Sequence, residues 1–240
     1  MHAHTPRLTT RAVTTVIGVI LASGCAPAEE PKAAAEASYA SPAVKASVAP
    51  LTTAQLTDLA FKDGEVPQAH DPLEVQEPQA NGSERSFPPI SVPACQPLVD
   101  IRNGEGSFAH VFQTFNWKEN IMGGSSTLAS YEEDEAEHRF AELKQALATC
   151  RSYEGEGYVG PFKATVKTET PPQVGEEALA FREIIPMGPD QPGDRNQQFV
   201  VVRTGNTIAT FAELGVDASL SFPTELISRQ VERLRNAQRS

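Results

Sequence analysis

Gln198-Phe-Val-Val-Val-Arg203-Thr-Gly-Asn-Thr-Ile208-Ala-Thr-Phe-Ala-Glu213 decides the fold class. Two runs rich in β-branched and aromatic residues, Gln198 to Arg203 and Thr207 to Glu213, flank Gly205-Asn206, a pair that suits a tight hairpin. Two neighbouring antiparallel strands are the reading. Upstream, Phe162 to Thr168 and Ala178 to Ile185 have strand composition and are set apart by Pro, Gly and Asn. Further back, Glu132 to Cys150 carries Ala136, Phe140, Leu143 and Leu147 at spacings of four, three and four, which makes one apolar helical stripe. Glu132, Glu133, Asp134 and Glu135 crowd its first turn, where the helix dipole favours negative charge.

Before that helix, Phe108 to Trp117 fits a strand or a helix by spacing. The following Gly123-Gly124 and the stretch Ser126 to Tyr131, with its β-branched and aromatic content, favour two strands. Leu51 to Ala60 reads as a short helix with Thr52 or Thr53 as its cap, and Thr224 to Ala237 as a terminal helix with Ser221 or Thr224 as its cap. Residues 62–94 are rich in Pro, Gly, Asn, Asp and Glu, so they are expected to be loop or extended chain over the body, outside the core. The predicted fold class is α+β: an antiparallel sheet of about five to six strands with helices packed on one face.

The N-terminus reads as an address. Arg7 and Arg11 precede an apolar run from Ala12 to Ala22, then Ser23-Gly24 and Cys25. Positive, apolar and small segments in that order make an export signal over residues 1–24. In ordinary secretion cleavage would follow a small residue such as Ala22. Leu21-Ala22-Ser23-Gly24-Cys25 resembles the bacterial lipobox, in which the Cys is acylated and becomes the first mature residue. Lipidation at Cys25 is the favoured reading, because the small residues lead directly into Cys. Each buried acyl methylene contributes about 0.8 kcal/mol, so two or more chains hold a soluble body at the membrane. Residues 26–50 are mostly Ala, Pro, Glu, Ser and Lys without hydrophobic period, and are expected to be a disordered linker of roughly 25 to 30 Å reach. Residues 51–240 would then form the extracytoplasmic domain.

Charge and cysteine count narrow the function classes. The formal charge of −11 opposes a general nucleic-acid binder, and the apolar run is too short to span a bilayer as a helix. With Cys25 acylated, Cys95 and Cys150 remain, enough for one disulfide in an oxidising compartment.

Several short motifs carry a resemblance: Leu51-Thr-Thr-Ala-Gln-Leu56, Ala94-Cys95-Gln-Pro-Leu98, Thr149-Cys150, Val174-Gly175-Glu-Glu-Ala178 and Val200-Val-Val-Arg203-Thr-Gly-Asn206. Together they resemble the actinobacterial sensor-domain lipoproteins, which are similar to the PknH-type extracellular domain of receptor serine/threonine kinases. The resemblance spans roughly Leu51 to Glu213. It implies a sheet-and-helix domain with a cleft, displayed outside the membrane, with no catalytic residue to carry over. This chain departs in having one candidate disulfide where the PknH-type domain has two, and no kinase segment.

Motifs for chemistry are sparse. Gly155-Glu-Gly157-Tyr-Val-Gly160 satisfies a dinucleotide fingerprint literally, but a helix precedes it and a strand follows, so a flexible helix-to-strand connection is the reading. No Gly-x-Ser-x-Gly elbow is present, and His70, His110 and His138 stand at no zinc spacing. The acidic run with His138 reads as a solvated helix start, Asp190 and Asp194 as an exposed turn, and Asn81-Gly-Ser83 as an accidental glycosylation match. Trp117, Tyr131 and Arg203 are the types that hold a glycan or an anionic head, yet packing and a salt bridge are the favoured roles, and they are not put forward as a site. No cofactor and no metal are expected.

The functional expectation is a membrane-anchored, non-catalytic ligand-binding or sensor-like domain on the outer face of the cell membrane. It would meet the membrane through its lipid anchor and bind a small molecule, a lipid or an envelope protein. The alternative is a structural or accessory envelope protein that contacts other envelope proteins or apolar envelope molecules. A cell-wall hydrolase, the third class, lacks a nucleophile or metal set.

Overall fold

Alternation along the strands determines how the layers stack. In the computed structural model, which describes residues 48–78, 87–158, 160–188 and 191–239, helix α1 (Thr53–Leu59) leads to a two-residue strand β1 (Val75–Gln76). A 3-10 turn over Pro93–Cys95 runs into α2 (Gln96–Asn103), followed by β2 (Ala109–Phe115), β3 (Gly124–Ser130) and α3 (Glu135–Thr149). Strands β4 (Ser152–Gly157), β5 (Gly160–Glu169), β6 (Glu177–Pro186), β7 (Asp194–Thr204) and β8 (Thr207–Val216) come next, and α4 (Thr224–Ala237) closes the chain. All strands join one antiparallel sheet in the order β1-β2-β3-β8-β7-β6-β5-β4. The α+β class and the antiparallel sheet match expectation, with eight strands in place of five to six.

The two extra strands have weak sequence signals. β1 is only Val75–Gln76, paired with Gln113 and Phe112 at the sheet edge. β4 reads Ser-Tyr-Glu-Gly-Glu-Gly, a composition poor in β-formers that is held as a strand by its register with β5. Gly155 to Gly160 is therefore a hairpin, not a flexible connection, with Gly157 opposite Gly160.

Helices cover both faces of the sheet, which corrects the one-face expectation. Val200 and Val202 on β7 and Ala209 and Phe211 on β8 share a core with Leu56 of α1 and with Leu226, Ile227 and Val231 of α4. Their neighbours Phe199, Val201, Ile208 and Ala212 face the other way, into a second core with Leu98 and Ile101 of α2 and Phe140 and Leu143 of α3. The physical reason is the unbroken run Phe199-Val-Val-Val202: a strand apolar at consecutive positions is apolar on both faces, and each face must be removed from water.

The central hairpin turns as its sequence requires. Thr204 pairs with Thr207 across Gly205-Asn206, and Gly205 takes a φ of +54°, which glycine adopts without strain. α1 starts on a capping box in which Thr52 accepts from the Gln55 amide while Gln55 reaches back to Thr52. α4 begins at Pro223 without a side-chain cap, so neither Ser221 nor Thr224 caps it; the Ser221 hydroxyl instead meets Gln198 at 3.2 Å. Segment 62–94 also differs from expectation. Val66, Ala69, Leu73 and Ile90 within it are buried, because apolar residues scattered through Pro-rich chain still anchor it to the body.

The folded body reaches ahead of Leu51: the Asn206 side chain donates to the Val48 carbonyl at 3.0 Å. Residues 1–24, Cys25 and most of the linker 26–50 lie outside the described residues, as do Asn81-Gly-Ser83 and Asp190. No helix among the described residues is long and apolar enough to cross a membrane.

Candidate functional site

A cavity opens at the end of the sheet where β6 finishes and β7 begins. Odd-numbered positions of these strands face α2 and α3, and their register pairs Phe181 with Phe199, Glu183 with Gln197 and Ile185 with Arg195. The first pair is a dry aromatic stack, with centroids 5.0 Å apart. From the next two, Glu183, Ile185 and Arg195 border a cavity of about 880 Å³ walled by α2, the β4–β5 hairpin and the segment around Phe87 to Ile90. Its size falls within the usual range for small-molecule sites.

Apolar side chains make much of the wall. Ile90, Val99, Phe162, Ile185 and Met187 contribute, and Phe87 meets Tyr158 edge-on at 5.0 Å between centroids. Thus the later part of segment 62–94 lines the cavity.

The polar side of the cavity is built around Glu183. Its side chain is 1% exposed and receives Arg102 Nη1 at 2.6 Å, and the Tyr153 hydroxyl donates to its other oxygen. Burial alone would lower the Arg102 pKa, but the facing Glu183 carboxylate and the Tyr153 oxygen together outweigh it and hold the guanidinium above its usual value. Burial likewise pushes the Tyr153 phenol up, so it stays protonated as a donor. Arg102 also lies 5.3 Å from the Phe199 ring centroid, continuous with the aromatic stack.

The disulfide places this machinery. Cys95 and Cys150 are bonded as expected, with Cα atoms 5.3 Å apart, joining the start of α2 to the end of α3. α2 is short and carries Val99, Asp100 and Arg102 to the cavity, so a covalent tie at its N-terminus fixes a wall that few residues could fix alone.

Arg195 closes the polar set. Its Nε is buried without a hydrogen-bond partner, and its Nη2 has only a 3.4 Å contact to Gln197. Asp100 accepts from Gln96 at 2.7 Å, while Glu105 and Glu156 stand exposed on the lining.

The residues singled out from the sequence do not come together. Trp117 is buried, stacks on Phe115 at 5.1 Å and donates to Glu213 at 2.5 Å. Tyr131 is fully buried in the opposite core, which pushes its phenol up to about 12. Arg203 bridges Glu176 at 2.8 Å and Glu177 at 3.0 Å. All three serve packing and pairing. Along the acidic helix start Arg139 pairs with Glu135 at 2.7 Å, and Asp217 accepts from the Asp194 amide. Among the described residues no group of three His, Cys, Asp or Glu side chains gathers as a metal set.

Sequence reading missed Arg102, Glu183 and Arg195. One signal was available: Phe181-x-Glu183-x-Ile185 puts a carboxylate on an otherwise apolar strand face, and a buried charge demands a partner. Arg102 and Arg195 come from elsewhere in the chain and carry no such mark.

Comparison with known proteins supplies the fold's relative. The crystal structure of the extracellular domain of PknH from Mycobacterium tuberculosis aligns over 80% of this chain and 98% of its own, with a TM-score of 0.52 at 10% identity. This chain has a PknH-like sensor-domain fold. No family model and no curated protein matches the sequence. The PknH-like likeness, at so low an identity, concerns architecture and transfers no site.

Proposed function

We propose that the protein is a lipoprotein anchored through Cys25 on the extracytoplasmic face of the cell membrane, whose α+β domain binds a ligand without catalysing a reaction. The cavity of about 880 Å³ carries this reading, because its apolar walls and the Arg102–Glu183–Tyr153 cluster that fixes its floor suit retention of a ligand. Its buried carboxylate is committed to structure: Glu183 is held by Arg102 and Tyr153, so it is not poised as a base. The lipobox sequence, the disulfide and the PknH-like fold all fit an extracytoplasmic setting.

Native mass spectrometry of the protein purified from an actinobacterial host tests the binding reading. A released small molecule or lipid is expected on denaturation. A bare polypeptide mass would favour the accessory reading, which has its own support in Ile121, 98% exposed beside half-exposed Met122 on the β2–β3 connection. Cell fractionation tests the anchor: Cys25→Ala is expected to release the protein from membranes, and unchanged retention would refute lipidation.

A further inference from the structure

Two guanidinium groups of the described residues reach the cavity, and only one of them is neutralised by a described carboxylate. Arg102 is matched by Glu183 at 2.6 Å. Arg195 has no carboxylate partner among the described residues, and its Nε is out of contact with water and without an acceptor. A buried N–H left unpaired is costly, and a guanidinium fork is shaped to take an oxyanion. Its cross-strand neighbour is the buried Ile185, so this half-buried cation sits beside apolar wall.

From this we infer that the cavity takes a single-chain amphiphile with a singly charged anionic head, the head pairing with Arg195 and the chain lying along Ile90, Val99, Phe162, Ile185 and Met187. The inference rests on the ligand-binding reading above and names the ligand's chemistry. Apolar wall and unmatched cation occur in one cavity, and an amphiphilic anion satisfies both. The exposed Glu105 and Glu156 on the lining add a constraint, since they repel heads carrying several negative charges. A free fatty carboxylate and a monoacyl phosphodiester share the required chemistry.

Isothermal titration calorimetry on the purified protein separates the possibilities with four probes of equal chain length: laurate, lauroyl lysophosphatidylglycerol, dodecan-1-ol and dodecyltrimethylammonium. At least one anionic probe is expected to bind about 10-fold or more tightly than the alcohol, the worth of one charge-assisted hydrogen bond. Which anion wins distinguishes a free acid from a phospholipid source. Arg195→Gln is expected to bring that anion to the alcohol's affinity while leaving the alcohol unchanged, and Arg195→Lys to restore part of the preference. The head-group comparison on the unaltered protein stands even if a variant fails to fold. Equal binding of alcohol and anions, or tightest binding of the quaternary ammonium, would overturn the anionic-head inference and leave the cavity as a ligand site. Absence of binding by all four probes would overturn the anionic-head inference, and the bare mass described above would separately overturn ligand binding.

Discussion

Replacing Arg102 by Met leaves the Glu183 carboxylate with the Tyr153 hydroxyl as its remaining side-chain partner among the described residues, at a position 1% exposed to solvent. Breaking a buried ion pair from one side costs about 3 to 5 kcal/mol, because the surviving charge stays desolvated. Geometry puts one single variant inside that range and the other below it. Arg102→Met strands a carboxylate that water does not reach, so about 4 kcal/mol is expected. Glu183→Gln strands a guanidinium whose side chain is 20% exposed and borders the cavity, where water can solvate it, so about 2 kcal/mol is expected. Removing all three polar partners together, as Arg102→Met, Glu183→Leu and Tyr153→Phe, leaves no orphaned charge. This triple variant is expected within about 1.5 kcal/mol of the parent, far below the sum of its parts. Urea unfolding followed by far-ultraviolet circular dichroism, with linear extrapolation, measures each value. Two results would refute the reasoning: single variants within about 0.5 kcal/mol of the parent, or a triple variant whose loss equals the summed singles.

Further outcomes follow from other parts of the fold. Cys95→Ser with Cys150→Ser opens a loop with a sequence separation of 55, and the chain-entropy relation gives a loss of about 4 kcal/mol, read by the same unfolding assay; an unchanged midpoint would refute it. Burial raises the Glu213 pKa against the opposing hydrogen bonds from Asn120 and Trp117. Its stabilising contribution is therefore present below the unfolded value of 4.5 and lost as pH rises through the folded value. Fluorescence of Trp117, the chain's one tryptophan, is expected to titrate with a midpoint above 4.5 and to lose that step in Glu213→Gln; a flat profile in the parent would contradict this. Gly175 has a φ of +69°, and an added Cβ would overlap Val202 Cγ1 and lie 2.8 Å from the Arg203 carbonyl oxygen. Gly175→Ala is expected to cost about 2 kcal/mol by thermal or urea unfolding, and a neutral effect would show that the turn relaxes freely.

The sequence alone determined what local chemistry can specify. The stripe Ala136, Phe140, Leu143 and Leu147 defines α3 wherever it packs, and the hairpin at Gly205-Asn206 defines the β7–β8 pairing, because period and turn geometry are local properties. The Cys95–Cys150 bond was also legible, since one plausible pair remained after Cys25 was set aside. The address at Cys25 is likewise a reading of sequence.

Only the tertiary structure decided where strands without strong propensity would lie and which charges would meet. β4 is Gly- and Glu-rich and is held in the sheet by β5, and β1 is two residues long, so neither shows a period to read. Val200 and Val201 adjoin in sequence yet enter opposite cores, a consequence of the pleat that became visible only once both helical layers were placed. Arg102 is far along the chain from Glu183 and Arg195, which lie on adjacent strands, and the three join one cavity because α2 packs over β6 and β7. Burial, charge pairing and the unmatched guanidinium are properties of that juxtaposition, and no local pattern encodes them.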